Sequence, residues 1–484
     1  VCFQQGKKEG FMEKVKIKIM ASQDWSMRFA LEKFVEFADP VIRYKGKEYK
    51  IELGRIKADP ITCGQNLNDQ ADVVIDRTIH WNEFYKAWAQ TAQNCQMRIA
   101  NSPLTFSNLD KHSTFDLMAR SIHSKDRFPT TVLIPEFYPY TDEHWKNEMW
   151  SYEQIQIIRN TKFGWDPNRR TTDWAKVQQN VKRMQNHISK GQLLREQFYP
   201  SYNYLAEVME KHFNNQFPVY MKKCSGGGGA NVHKIKSIEE LYQKYDESEG
   251  VVYHIQEAIE DYDMFIRSMA LGPQVHPMIF QPDEPLHQHY SPELLKVDPE
   301  IYERMETYVQ FVNSYHRWTY NSFECLIKNG QIHPIDFANA CPDSNFTSLH
   351  THFPWLICAL LKWMTFIAVT KKDMGIDLEQ EKYLKVFNDP KKSQEDKYRF
   401  NQKMSRKYFE TEKFEEFCAE NFSDIESKML AFFDEKFDSV IEFAIEYSDF
   451  PDHEKGDFYS YYKNMMDTIF RPNADSFLKT VVFK

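Results

Sequence analysis

Four consecutive glycines, Gly226, Gly227, Gly228 and Gly229, lie between two runs of strand-like composition, Pro218–Cys224 and Asn231–Lys236. No helix or strand interior tolerates such a run, because each glycine loses backbone entropy on ordering and packs no side chain. The segment is therefore predicted to be strand, loop, strand. Successive glycines can also turn several backbone N–H groups toward one point, where an anion such as phosphate collects hydrogen bonds without steric conflict. A solvated hairpin tip would read the same way. The pattern is not a Walker A loop, since no lysine follows the glycines; instead Lys222 precedes them on the strand leading in. Its ammonium can face the same anion, while Lys223 points outward from the opposite face of the strand.

A chain of 484 residues has room for two or three domains, and its 42% hydrophobic and 27% charged content argues for globular packing over wholesale disorder. The net charge of -9 offers no electrostatic reason to expect a nucleic-acid partner. The eight cysteines are scattered, with no CxxC pair and no histidine cluster at metal-ligand spacing, so a reducing, cytoplasmic setting is expected. The opening "VCFQQGKKEGF" lacks the apolar core of a signal peptide, and Met12 or Met20 is the expected start of translation. Pro354–Val369 is the most apolar stretch; it carries Lys362 mid-run and is short for a bilayer, so it is predicted to be a buried helix and no membrane is expected.

Along the chain, "KVKIKIM" alternates as a strand and "WSMRFALEKFVEFA" follows with Phe29, Leu31, Phe34 and Phe37 at helical spacing. "ADVVIDRT" (strand), "HWNEFYKAWAQTA" (helix) and "QMRIANSP" (strand) continue an α/β pattern. One helix over "LTFSNLDKHSTFDLMARSI", with Asn108 as its cap, and a strand "FPTTVLIP" come next. Residues 136–213 loosen into an insertion with helices such as "WAKVQQNVKRMQNHI" and "YNYLAEVMEKHF"; its aromatic and Arg-rich stretch Trp165–Arg170 reads as packing before substrate lining. Beyond the glycines, "SIEELYQKY" is predicted to be a helix with Ser237 as cap and Glu240 closing a capping box. "VVYHIQEAI" reads as a strand, "MFIRSMALG" and "QVHPMIF" as a hairpin across Gly272–Pro273, and "SFECLIKNGQIHPIDFANA" as a second hairpin about Asn329–Gly330. From Lys371 onward the chain reads as helices, with Phe414, Phe417, Cys418, Ile425, Met429, Phe432 and Phe433 at core spacing.

The second hairpin carries chemistry. It can bring Glu324 and Asp336 together with Asn339 just beyond, and two carboxylates with an amide oxygen are hard ligands suited to Mg²⁺. A solvated polar hairpin is the alternative, although the apolar neighbours Phe323, Leu326, Ile327, Ile335 and Phe337 favour an inward role, where unpartnered acids would be costly. "VVYHIQEAIEDYDMFIR", a strand ending in acids, can offer backbone groups to a base edge and a carboxylate to a ribose.

Together and in this order, these segments resemble the ATP-grasp superfamily, most closely its glutathione synthetase-like and RimK-like carboxylate–amine ligases. The resemblance spans about residues 70–135 and 214–350. It implies an ATP-grasp fold of mixed α+β and α/β class: a pre-ATP-grasp α/β domain over 12–108, an ATP-grasp domain over 109–370 with a glycine-loop lid at 214–258, and a helical extension over 371–484. It implies that Lys222 with Ser225, the four glycines and Ala230 closes over a triphosphate, and that Lys111 is the upstream phosphate lysine. Gln256, Glu257, Ala258 and Ile259 would meet adenine, largely through backbone, and Asp263 the ribose. Arg267 would face the transferred phosphate or the acyl substrate. Glu324, Asp336 and Asn339 would hold one or two Mg²⁺, with Mn²⁺ as a substitute. Relatives usually space the last pair acid-x-Asn with Glu as the acid, whereas this chain has Asp336-Phe-Ala-Asn339. The implied activity is ADP-forming ligation of a carboxylate to an amine through an acyl phosphate, in an enzyme open to homo-oligomers. A small-molecule kinase on the same scaffold and a non-catalytic nucleotide-binding scaffold are the alternatives.

Overall fold

A computed structural model describes residues 12–21, 24–79, 82–106, 111–135, 204–224, 232–247, 251–339 and 341–479. The chain divides into two compact units, one made of Val1–Phe128 with Ile259–Lys484 and the other of Pro129–Ala258. Within the first unit, the C-terminal helices share a core with the N-terminal strands.

The first unit opens with β1 (Glu13–Ala21), β2 (Val41–Tyr44), β3 (Lys47–Arg55), β4 (Val73–Arg77) and β5 (Ile99–Ala100), which form one sheet in the order β2-β3-β1-β4-β5. β1 runs parallel to β3 and β4, and β4 to β5. All five residues of β4 are buried, as befits a parallel strand covered on both faces. Val73 and Ile75 join the core that contains helix Trp25–Ala38, while Val74 packs with Trp88 and Ala89 of helix Glu83–Asn94. Leu31 and Phe34 are buried as their spacing predicts, and Phe29 and Phe37 are partly buried against the same core. The β2–β3 hairpin, turning through Lys45 and Gly46 at φ 49° and 74°, was not anticipated from sequence. The expected strand at "QMRIANSP" shrinks to two residues, and the helix expected after it is described over Pro103–Phe106 and Lys111–Ser121. Asn108 lies outside the described residues.

The second unit carries β6 (Thr131–Ile134), β7 (Val219–Lys223), β8 (Val232–Ile235) and β9 (Tyr253–Glu257), an antiparallel sheet in the order β6-β9-β7-β8. Its core sets Val219, Met221 and Ile255 against Leu205 and Met209 of helix Tyr204–Phe213 and Leu241 of helix Ile238–Asp246. The last ten residues of the supposed insertion thus belong to this unit's core; the rest of it, including the helix expected at 174–188, lies outside the described residues. Ser237 caps its helix by accepting from the Glu240 N–H at 3.2 Å. The capping box does not close, because the Glu240 carboxylate takes the N–H of Lys236, one residue earlier, at 2.7 Å.

Back in the first unit, β10 (Met264–Leu271), β11 (Gln274–Ile279), β12 (Tyr320–Lys328) and β13 (Gln331–Asn339) form an antiparallel sheet in the order β11-β10-β12-β13. The β12–β13 turn is Asn329–Gly330, both at positive φ, as the dipeptide predicts. Helix Pro299–His316, capped by Asp298, supplies Met305, Val309 and Val312 to the core beneath Ile266, Phe323, Cys325 and Ile327. The segment Phe346–Thr370 is long and apolar enough to cross a membrane, and 89% of its apolar window is buried inside the protein. Lys362, the charge in that run, reaches Glu426 at 2.7 Å. Ile425, Met429, Phe432 and Phe433 pack with Ile17, Phe34 and Leu356 in one cluster, so the C-terminal helices complete the first unit's core.

Candidate active site

Strand alternation decides which side chains of β12 can do chemistry. Phe323, Cys325 and Ile327 point into the core shared with helix Pro299–His316, so Ser322 and Glu324 point to the other face. Glu324 stands directly opposite Arg267 on β10 and directly opposite Asp336 on β13. The three residues form a row across three adjacent strands. Arg267 Nε lies 3.4 Å from Glu324 Oε1, and Arg267 Nη2 donates to Ser322 Oγ at 3.4 Å. Burial opposes the guanidinium charge, but the Tyr290 phenol and the carboxylates of Glu324, Asp343 and Asp336 outweigh it and hold Arg267 protonated.

Asn339 would fall on the wrong face of a regular strand, since residues three apart point in opposite directions. The structure resolves the unusual Asp-x-x-Asn spacing with a bulge: Ser322 pairs with Asn339 and Glu324 with Asp336, so a step of two residues on β12 meets three on β13. Asn339 thereby returns to the side of Asp336, and its amide nitrogen donates to Ser322 Oγ at 3.1 Å. Lys111, on helix Lys111–Ser121, donates to both oxygens of Asp336 at 2.7 and 3.1 Å.

This arrangement fits a divalent cation. Asp336 already holds a positive charge, that of Lys111, and Glu324 that of Arg267; two carboxylates and an amide leave coordination places for water and substrate phosphate, as Mg²⁺ prefers. Among the described residues no group of three or more His, Cys, Asp or Glu side chains could hold a metal on its own. Asp263, the expected ribose ligand, sits at the hairpin turn, where its carboxylate accepts the N–H of Asn329 at 2.6 Å.

In the second unit, Lys222 shares a sheet face with Tyr220, His254 and Gln256, opposite the face that packs on the two helices. Its ammonium donates to Gln256 Oε1 at 2.8 Å and lies 5.6 Å from the centre of the Tyr220 ring. Lys223 shares its side with Met221, which is the helix-packed face, so it is half-buried there and not outward as expected. Gln256 is buried and donates to Thr131 Oγ1 at 3.0 Å. β9 pairs on both sides, and Thr130 exchanges bonds with the Glu257 N–H and carboxylate. The ladder therefore uses the backbone of Gln256 and Glu257, while Ala258 and Ile259 lie beyond the strand. Ser225, Gly226–Gly229 and Ala230 lie outside the described residues.

Two networks escaped the sequence reading. Buried Arg77, at the end of β4, donates to Asp24 Oδ2 at 2.7 Å, and Asp24 Oδ1 accepts the N–H of Ser344 at 3.2 Å, tying the end of the first sheet to the loop after β13. Tyr290 flanks Arg267; His350 bonds its carbonyl and His352 that of Ser291. Their sequence signals are slight: a lone "IDRT" and the paired histidines of "LHTHF".

No protein-family model and no curated protein matches the chain. Among solved structures, the D-alanine–D-alanine ligase from Bacillus anthracis complexed with ATP is similar at 10% identity and TM-score 0.39, covering 75% of this chain and 100% of that one. A RimK domain ATP-grasp protein from Sphaerobacter thermophilus is similar at 11% identity and TM-score 0.36, covering 68% and 92%. An N5-carboxyaminoimidazole ribonucleotide synthetase in its ADP complex is similar at 11% and TM-score 0.41, covering 71% and 74%.

Proposed function

We propose that the chain is an ATP-grasp enzyme, an ATP- and Mg²⁺-dependent ligase that joins a carboxylate to an amine. The observation that carries this reading is the row Arg267, Glu324, Asp336, with Asn339 brought beside it by the bulge and Lys111 laid on Asp336. A single sheet face presents acids for a metal and cations for a phosphate. The unusual spacing that was one ground for a non-catalytic scaffold is accommodated by a bulge in β13, which supports the catalytic reading.

In the reaction so read, a carboxylate oxygen of the substrate attacks the γ-phosphorus of ATP and ADP leaves. An amine nitrogen then attacks the acyl carbon, phosphate leaves, and the amine loses its proton. Mg²⁺ bound at Glu324, Asp336 and Asn339 would neutralise charge on the phosphate oxygens. The chain's own work is electrostatic: Lys111, Lys222 and Arg267 offset the charge of the polyphosphate, with no covalent enzyme nucleophile.

The test is ATP turnover in Lys222→Ala and Glu324→Ala. Each is expected to lose activity by a factor of about 10² or more, the scale of one preorganised electrostatic group, with far-ultraviolet circular dichroism unchanged. Full activity in either variant would sink the assignment.

A further inference from the structure

The Arg267 guanidinium lies over two aromatic rings, 5.1 Å from the centre of Phe280 and 5.8 Å from that of Tyr290. Tyr290 is 2% exposed and bridges antiparallel to Phe280, just past the end of β11. Its hydroxyl is buried without a hydrogen-bond partner, and the buried Nε of Arg267, 3.4 Å from Glu324 Oε1, makes an ion pair but no hydrogen bond. Buried donors without acceptors bear the full desolvation penalty and are uncommon in folded proteins. Here one such donor, the Tyr290 hydroxyl, belongs to a side chain that neighbours Arg267 and the acids of the site. The Arg267 and Glu324 side chains keep 16% and 23% of their surface exposed.

Tyr290 is not left there by default. Three successive side chains grip three successive carbonyls: His350 Nε2 donates to Tyr290 O at 2.8 Å, His352 Nε2 to Ser291 O at 2.8 Å, and Thr351 Oγ1 to Pro292 O at 2.9 Å. Carbonyls only accept, so both imidazoles carry their proton on Nε2. His352 Nδ1 is then free to accept from His276 Nε2 at 2.9 Å, and His350 Nδ1 accepts the N–H of Thr351 at 2.9 Å. The network assigns one neutral tautomer to each ring, in accord with burial, which drives all three histidines well below their usual range. Strong, specific bonds thus fix a tyrosine whose own hydroxyl is unsatisfied, which is the arrangement expected when a ligand supplies the missing acceptor.

We propose that Tyr290 is a further catalytic residue whose hydroxyl, with Arg267 Nε, seats an anionic oxygen of the phosphoryl group in transfer, and that His350, Thr351 and His352 are its positioning residues. The inference rests on the ligase reading and deepens it. The hydroxyl donates a hydrogen bond and keeps its proton; no bond is made or broken at Tyr290. A substrate carboxylate would offer the same anionic oxygen, so the test separates the two sources.

The experiment titrates MgADP alone, and then MgADP with aluminium fluoride as the phosphoryl mimic, into wild type and into Tyr290→Phe, which keeps the ring. The expected result is MgADP affinity within about twofold of wild type, with affinity for the fluoride complex and kcat for ATP turnover each reduced about tenfold or more. His352→Leu should reproduce this loss and His352→Gln, which can still donate to Ser291 O, should restore most of it. A wild-type fluoride complex in Tyr290→Phe overturns the proposal, and if turnover alone falls the hydroxyl serves the acyl oxygen. Equal losses for MgADP and the fluoride complex also overturn it. A wild-type protein that binds no MgADP overturns the ligase reading itself.

Discussion

Two four-stranded antiparallel sheets carry the candidate residues, and they handle charge differently. On β11-β10-β12-β13 the acids are matched to cations within the fold, Glu324 to Arg267 and Asp336 to Lys111, and the surrounding network of His276, His350 and His352 is neutral and buried. On β6-β9-β7-β8 the lysine donates to a neutral amide, Gln256. A compensated row is a fixed seat whose charges are already paid for in packing; a lysine on an amide gives up a weaker bond when an anion arrives. The first sheet therefore holds its charges in compensated pairs, while the second holds Lys222 on an amide.

The largest effect expected to sharpen this contrast is acid lability of the first sheet's surroundings. His350 and His352 take a proton near pH 6.5 when unfolded but only at about 3 and about 4 when folded, because burial disfavours the cation. Their contribution is present above pH 6.5 and is lost as pH falls, by roughly 2 kcal/mol per histidine at pH 5. Buried acids such as Asp76 and Glu306, each raised to about 7 by burial, run the other way. The informative quantity is thus the difference in urea midpoint between pH 7.5 and 5 for wild type against the double variant His350→Gln/His352→Gln. The double variant should show the shallower dependence, and equal slopes would break the account of a neutral clamp.

Next in size is the Arg267–Glu324 pair. Glu324→Ala leaves a half-enclosed guanidinium without its acid and should cost about 2 kcal/mol in chemical denaturation, less than the 3–5 typical of a fully buried pair because both side chains keep some exposure. Lys222→Met removes the bond to the neutral amide of Gln256 and should cost about 1 kcal/mol. A reversed order would contradict the distinction drawn between the sheets.

Lys111 gives a subtler test. Its ammonium occupies Asp336, so free Mn²⁺ should bind wild type weakly in the absence of nucleotide, and Lys111→Met should bind it about tenfold more tightly by electron paramagnetic resonance. Tighter binding to wild type would show that the acids are not compensated in this way. The smallest effect belongs to the bulge. Deleting Ala338 would make the residue now numbered 339 pair with Ser322 in regular register, and turnover should stay within about tenfold of wild type.

How much was legible in the sequence depended on the range of the signal. Local signals survived: the Asn329–Gly330 turn, the Gly272–Pro273 hairpin and the helical spacing of Leu31 and Phe34 all rest on neighbours a few residues apart. The row of Arg267, Glu324 and Asp336 was partly legible, since a tight hairpin alone forces Glu324 toward Asp336. Its third member required β10 to pair with β12 across the helix Pro299–His316, a helix not recognised although Asp298-Pro299 and the spacing of Met305, Val309 and Val312 announce it. Asp336-x-x-Asn339 looked like a defect because a bulge depends on the partner strand, which sequence spacing does not show. Tyr290 and its histidines stayed hidden for the same reason: the bonds that define them join residues about sixty positions apart.

The most direct measurement supplies wild-type protein with ATP, Mg²⁺ and pooled carboxylates and amines, and reads nucleotides and new products by mass spectrometry against Glu324→Ala. The account predicts ADP, phosphate and a new amide in wild type, all absent from the variant. AMP with pyrophosphate, a phosphorylated alcohol in place of an amide, or equal product from Glu324→Ala would contradict it.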